Sequence, residues 1–196
     1  MGEKSQQKKK YIIEKAREVF IEKGYRSVTM KDIIDACDIS RGGLYLYFPS
    51  TQEIFLEVLK REQEMGDDVF TTQVQEDATP TDILSLFIAA QKAELMKSKE
   101  NLTMATYEYY FAHKPEKKDN FLKDQFSAAV GALTQLIEMG VEEGEMYCED
   151  PVTAAEEIMY TIEGLKIGLL TVELTEEEID KQLDYLLQGL GLVQEN

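Results

Sequence analysis

TMKDIIDACDISRGGLYLYFPSTQE, residues 29–53, is the stretch that decides the fold. Thr29 is a good N-cap, and Asp32 at the third helical position suits the positive end of a helix dipole. The spacing therefore predicts a short helix over Met30 to Cys37. Asp38 and Ile39 make a turn, and Ser40 caps a second short helix. The first turn of that helix holds Gly42 and Gly43 in succession, each about 1 kcal/mol less favourable than alanine inside a helix. Close approach is the physical reason on offer: without side chains, the turn brings its backbone up to a phosphate or a base edge. The stretch predicts a helix-turn-helix that docks on DNA.

Helical signals continue on both sides. Ile12, Ile13, Ala16, Val19 and Phe20 recur at helical spacing and Gly24 is placed as a stop, predicting a helix over Gln7 to Lys23. Pro49 ends the recognition helix, and Ser50 with Glu53 forms a capping box for a fourth, from Thr51 to beyond Phe70, which links two regions. Thr79-Pro80 opens a helix ending near Lys97, and Asn101 caps one that is dense in aromatics and stops before Pro115. A seventh carries Phe121 to Ile137 and frays through Gly140 and Gly144. Asp150-Pro151 opens the eighth, and a capping box of Thr175 and Glu178 opens the ninth. The expectation is an all-α chain with a helix-turn-helix domain over residues 1–50 and a helical effector-binding and dimerisation domain over residues 51–196.

The net charge of −17 is divided unevenly along the chain. Residues 1–62 hold 12 Lys+Arg against 10 Asp+Glu, whereas residues 63–196 hold 9 against 28. The run Lys8-Lys9-Lys10 puts positive field where a polyanion would be met, as an arm on phosphates or the minor groove; solvated surface charge is the plainer alternative. Two cysteines, Cys37 and Cys148, and the single histidine, His113, are too few for a zinc site or a disulfide framework, so free thiols and no metal or cofactor are expected. There is no Gly-rich phosphate loop, no Glu-x-x-His pair and no arrangement of His113 with a nucleophile, which argues against an enzyme. No secretory segment and no run of 18 apolar residues is present, so a cytoplasmic protein without membrane contact is expected.

The pattern T-x-x-D-I-x-x-A-x-x-I-S-R-G-x-L-Y-x-Y-F over Thr29 to Phe48, followed by Pro-Ser and a Glu before an apolar helix, resembles the tetracycline-repressor (TetR) family of bacterial transcription regulators. The resemblance implies about nine helices, a homodimer, operator DNA as partner, and a cavity in the second domain whose small-molecule effector alters DNA binding. Position by position it implies that Thr29 and Lys31 lie near a phosphate, that Ser40, Arg41, Gly42 and Gly43 stand at the entrance of the recognition helix, and that Tyr45, Tyr47 and Thr51 reach the backbone or groove. Three positions depart from the common pattern: Asp38 replaces a turn glycine, Gly43 a threonine, and Thr51 a lysine that would contact phosphate.

The residues allow these roles on chemical grounds. Arg41 can read guanine through O6 and N7, or pair with phosphate; Tyr45 and Tyr47 can bond phosphates or pack in the core beside Leu44 and Phe48. Met65, Met104, Tyr107, Tyr110 and Phe111 can line an apolar effector cavity or form plain core, with Gln91 and Gln125 orienting the ligand or bonding across helices. Ile158, Ile162, Leu165 and Leu169 in the eighth helix, with Ile179, Leu183 and Leu187 in the ninth, supply apolar surface for a dimer. The function expected is a ligand-responsive repressor released from its operator by a small apolar molecule. The alternative is a helical dimeric interaction protein with a degenerate reader.

Overall fold

A computed structural model describes residues 3–75, 77–97, 101–113 and 120–192. Among the described residues there are nine α-helices and no strand: α1 (Glu3–Ser27), α2 (Met30–Cys37), α3 (Arg41–Tyr45), α4 (Thr51–Gln73), α5 (Pro80–Met96), α6 (Thr103–Ala112), α7 (Phe121–Glu142), α8 (Pro151–Thr171) and α9 (Glu176–Gly189). None of them is long and apolar enough to cross a membrane.

Helix starts follow the local capping chemistry. At Thr29, Thr79 and Thr175 the threonine hydroxyl accepts the backbone N–H three residues on, while the acid there, Asp32, Asp82 or Glu178, accepts the threonine N–H in return. Asp150 accepts the Thr153 N–H at 3.1 Å ahead of Pro151. Ser50 accepts the Glu53 N–H at 3.2 Å and starts α4. Several boundaries differ from expectation, among them the end of α1, which runs through Gly24 to Ser27 instead of stopping after Lys23. Helix α1 begins at Glu3 rather than Gln7, so Lys8 to Lys10 stand more than a turn inside it instead of forming a free arm. Asn101 lies one residue outside the cap of α6 and accepts the Thr103 N–H at 3.0 Å.

The chain forms two compact units. The first comprises residues 1–69 with 99–114, and therefore includes α6. Placing everything beyond Thr51 in the second region misses this return. The reason is an aromatic core: Phe20, Tyr25, Phe55 and Tyr109 are all buried, with ring centroids 4.8 Å apart for Phe20–Phe55 and 5.0 Å for Tyr25–Tyr109. Gln52 donates to the Tyr109 hydroxyl at 3.3 Å, which satisfies the polar end of that ring. His113 stacks on Tyr109 at 4.8 Å and meets the Tyr25 edge at 5.4 Å, so it is half-buried rather than exposed as its position beside Lys114 suggests. Helix α1 kinks at Gly24, whose φ of 72° and ψ of 170° lie in a region open essentially to glycine alone. The Glu108 carboxylate of α6 sits in that kink and accepts the Arg26 N–H at 2.9 Å.

The second unit, residues 70–98 with 115–196, packs α5, α7, α8 and α9 around Leu84, Leu95, Ile137, Ile158, Ile162 and Ile179. Lys92 of α5 reaches Glu176 and Asp180 of α9, and the Glu145 carboxylate accepts the Thr81 N–H at 3.0 Å at the start of α5. Cys37 and Cys148 are free thiols, and burial pushes the Cys37 thiol up from its ordinary pKa.

Candidate nucleic-acid interface

The reader is α2 and α3: α2 packs on α1 and α3 on α2, and Ile33, Leu44 and Phe48 are buried. Two ion pairs tie α1 to α4 behind it: Lys9 to Glu57 at 2.7 Å, and Arg17 to Glu62 through two bonds of 2.7 and 2.9 Å. The turn between α2 and α3 passes through Asp38 at φ 49° and ψ 49°, the left-handed conformation that glycine would adopt more easily and aspartate tolerates. The departure from glycine leaves the turn intact.

The two glycines differ in purpose. Ser40 caps α3 by accepting the Gly43 N–H at 3.1 Å, and a Cβ on Gly43 would stand 3.2 Å from the Ser40 hydroxyl and 3.9 Å from Lys8 Nζ. Gly43 thus makes room for the cap, and Lys8 is brought beside the recognition helix. A Cβ on Gly42 would meet nothing within 4 Å. No packing among the described residues asks for that glycine.

Arg41 and Tyr45 are exposed, with the guanidinium over the Tyr45 ring at 5.4 Å, a cation–π contact that pre-orients both. Tyr47 is half-buried, and its hydroxyl lies 3.5 Å from Ser5 Oγ, so it divides its surface between packing and solvent. Leu44 and Phe48 are core. Lys31 is exposed and Thr51 half-buried at the start of α4. Of the lysine run, Lys9 is paired with Glu57 and lies over the Phe48 ring, Lys10 stands 3.9 Å from Glu14, and Lys8 carries no ion pair among the described residues. Sequence reasoning treats the three alike; the helical turn separates them.

Thr29 has a structural task of its own. Its hydroxyl donates to Asp32 at 2.6 Å, its N–H donates to the same carboxylate at 2.8 Å, and Lys23 Nζ stands 2.7 Å away. Lys23 foremost, then Thr29, holds the Asp32 carboxyl well below the usual carboxylate range. A folded-state pKa below the unfolded one stabilises the reader above the unfolded value of about 3.9, and this is lost as pH falls through the folded value. We expect Asp32→Asn to be less stable than the parent at pH 7, and the gap between them to narrow from about pH 5 toward pH 2 in thermal melts. A gap that is constant over that range would remove the carboxylate from the account.

The residues expected at a dimer interface need correction. Ile158, Ile162, Leu165, Ile179, Leu183 and Leu187 are buried in the protomer's own core, and Leu169 packs against it half-buried. An apolar row on a helix cannot by itself tell an internal neighbour from a second copy. The exposed large hydrophobics of the same helices are Val152, Tyr160, Ile167 and Tyr185.

The expected effector residues are divided between the two units. Met65, Met104 and Phe111 are exposed on the first unit, Phe111 by 73%. Tyr107 and Tyr110 are half-buried, Tyr107 stacking on Phe111 at 6.1 Å. Gln91 and Gln125 are half-buried in the second. Tyr109, left out of that set, is the aromatic that α6 buries. Two open depressions in the second unit, of about 420 and 340 Å³, contain none of these residues; the larger is lined by Thr161, Gly164 and Leu165 of α8 with Leu174, Glu178 and Gln182.

Known proteins match this arrangement over most of its length. The profile of the bacterial regulatory proteins of the tetR family matches residues 12–58, and that of the tetracyclin repressor-like C-terminal domain matches residues 83–180. An HTH-type transcriptional regulator of Bacillus subtilis, YfiR, is 28% identical over 145 residues, 72% of this chain and 69% of that one. The HTH-type transcriptional regulator QacR of Staphylococcus aureus is 26% identical over 149 residues, 75% and 77% of the two chains. A shorter match of 53 residues to YuxN of Bacillus subtilis, at 43% identity, spans 27% of this chain and 18% of that one. In three dimensions the fold follows a TetR transcription regulator from Haloarcula marismortui, with a TM-score of 0.82 at 16% identity and 95% and 97% of the chains covered. It also follows a Saccharomonospora viridis protein in complex with choline, with a TM-score of 0.81 at 19% identity and 93% and 96% covered. The first profile falls on the very helices that the capping residues and the glycine pair mark out and the second on the helices beyond them, so the chain belongs to the TetR family of bacterial DNA-binding transcriptional regulators.

Proposed function

We propose that this chain is a cytoplasmic, non-enzymatic repressor that binds operator DNA as a homodimer and leaves it when a small, largely apolar effector binds. The observation that carries the reading is the outer face of the reader, where Arg41 and Tyr45 are oriented against each other and exposed instead of being used in packing. Lys8, Lys31 and the face of α3 supply phosphate contacts, and Ser40, Gly42, Gly43, Tyr47 and Thr51 border them. Two copies are needed to span half-sites about one helical turn, roughly 34–36 Å, apart. The exposed residues Tyr160 and Ile167 of α8 and Tyr185 of α9 are the surface for that pairing. Met104, Tyr107 and Phe111 offer an effector thioether and aromatic surface on α6. The Saccharomonospora viridis protein of the same fold, in complex with choline, supports a small-molecule effector. Linkage requires that the operator weaken effector binding by the same factor that the effector weakens operator binding.

Selection of bound sequences from random duplex DNA tests the proposal. The expected result is a pseudo-palindrome whose half-sites are one helical turn apart, bound with a strong salt dependence by a dimer in light scattering. Recovery of no preferred sequence across a salt series would instead favour an interaction protein with a degenerate reader.

A further inference from the structure

We infer that Gly42 of α3 and Leu46, the residue that caps its C-terminus, form one base-reading face, on which Leu46 takes the 5-methyl group of a thymine in the major groove. The inference rests on the DNA-binding reading and adds a base class to it. Leu46 is 84% exposed, more than any other large hydrophobic among the described residues. A lone exposed leucine needs no explanation, but the setting of this one supplies a reason. The Leu46 N–H donates to the Gly42 carbonyl at 3.2 Å, so the two residues stand one helical turn apart on the same side of α3. On that side a Cβ at Gly42 would meet no atom within 4 Å. A surface helix turn would ordinarily carry alanine or a polar residue at the first position and a polar residue at the second. Here it carries a notch and an apolar peg, both opposite to what folding alone favours.

What the face fits follows from its borders. Arg41 and Tyr45, the guanidinium over the ring, lie beside it in sequence on the next row of the helix, and Lys8 Nζ lies near Gly43, so positive charge and a phenolic hydroxyl adjoin the row of Gly42 and Leu46. A polyanion with apolar groups recessed among hydrogen-bonding edges matches that pattern. In the major groove the thymine methyl is the apolar group, and apolar side chains read it. The open notch at Gly42 lets the α3 backbone come close enough for Leu46 to reach it.

The test uses the full chain and the duplex recovered by selection, with each thymine replaced in turn by deoxyuridine, which removes the methyl group alone. At one thymine in each half-site, parent affinity should fall roughly fourfold, the worth of a methyl removed from water. Leu46→Ala should bind the unmodified duplex more weakly and be indifferent to deoxyuridine at that position, while matching the parent at all others. Gly42→Ala should melt at or above the parent temperature and still bind at least tenfold more weakly. A Leu46→Ala protein that keeps the parent's full deoxyuridine pattern, or a Gly42→Ala protein that binds as the parent does, overturns the inference while the repressor reading stands. Absence of any sequence preference overturns both.

Discussion

Replacing Arg41 and Tyr45 together by alanine should lower operator affinity on the order of 100-fold, because a bidentate arginine contact alone is worth about 1–3 kcal/mol of base discrimination and the tyrosine hydroxyl adds a phosphate bond. The protein itself should barely notice. Arg41 and Tyr45 are exposed, and the contact between them, with the guanidinium 5.4 Å from the ring centroid, is a surface cation–π pair worth roughly 0.5–1 kcal/mol. The melting temperature should therefore move by no more than about 4 °C. Affinity and stability separate here because Leu44 and Phe48, which alternate with these residues along the same short segment, carry the packing. Gel shifts over a salt series measure the first quantity and calorimetry the second. A double variant that keeps parent affinity would remove both side chains from the interface.

The second large effect is expected at the kink of α1. Alanine at Gly24 would have to hold φ 72° and ψ 170°, a region that costs a residue with a side chain roughly 1–3 kcal/mol. Its Cβ would also lie 2.7 Å from Glu108 Oε2, and moving that carboxylate gives up the bond from the Arg26 N–H. Strain and the lost charge-assisted bond together predict about 2–4 kcal/mol of destabilisation. Glu108→Ala removes the crowding but not the strain, so the double variant should cost less than the sum of the two single ones, by at least about 0.5 kcal/mol. Urea unfolding of the four proteins gives the cycle. A Gly24→Ala protein within about 0.5 kcal/mol of the parent would show that the kink relaxes freely.

These two cases show which features a linear reading can reach. Helix starts at Thr29, Thr79, Asp150 and Thr175 were legible because an N-cap and its partner lie three residues apart and need no tertiary partner. The reader was legible for the same reason: its turn, its cap and its glycines lie within one short stretch. Membership of a unit was not legible. Helix α6 looks like any aromatic helix until Tyr109 is seen buried against Tyr25 and Phe55, residues more than fifty positions away along the chain. Ile158 and Ile162 read equally well as interface or core, since periodicity reports that a face is buried and not what buries it. Phe111 and Met104 mislead in the other direction, apolar in type and exposed in place.

The return of α6 also bears on how the protein is made. The aromatic core of the reader is closed by Tyr109, so a ribosome that has released the whole of α1 to α4 has not yet released the residue that completes that core. During synthesis the nascent reader must wait, with the ring faces of Tyr25 and Phe55 that meet Tyr109 uncovered, while residues 70–98 emerge. An N-terminal fragment ending before Thr103 stays in that unfinished condition, which makes the helix-turn-helix of this chain a poor module to transplant by cutting at its last recognisable residue.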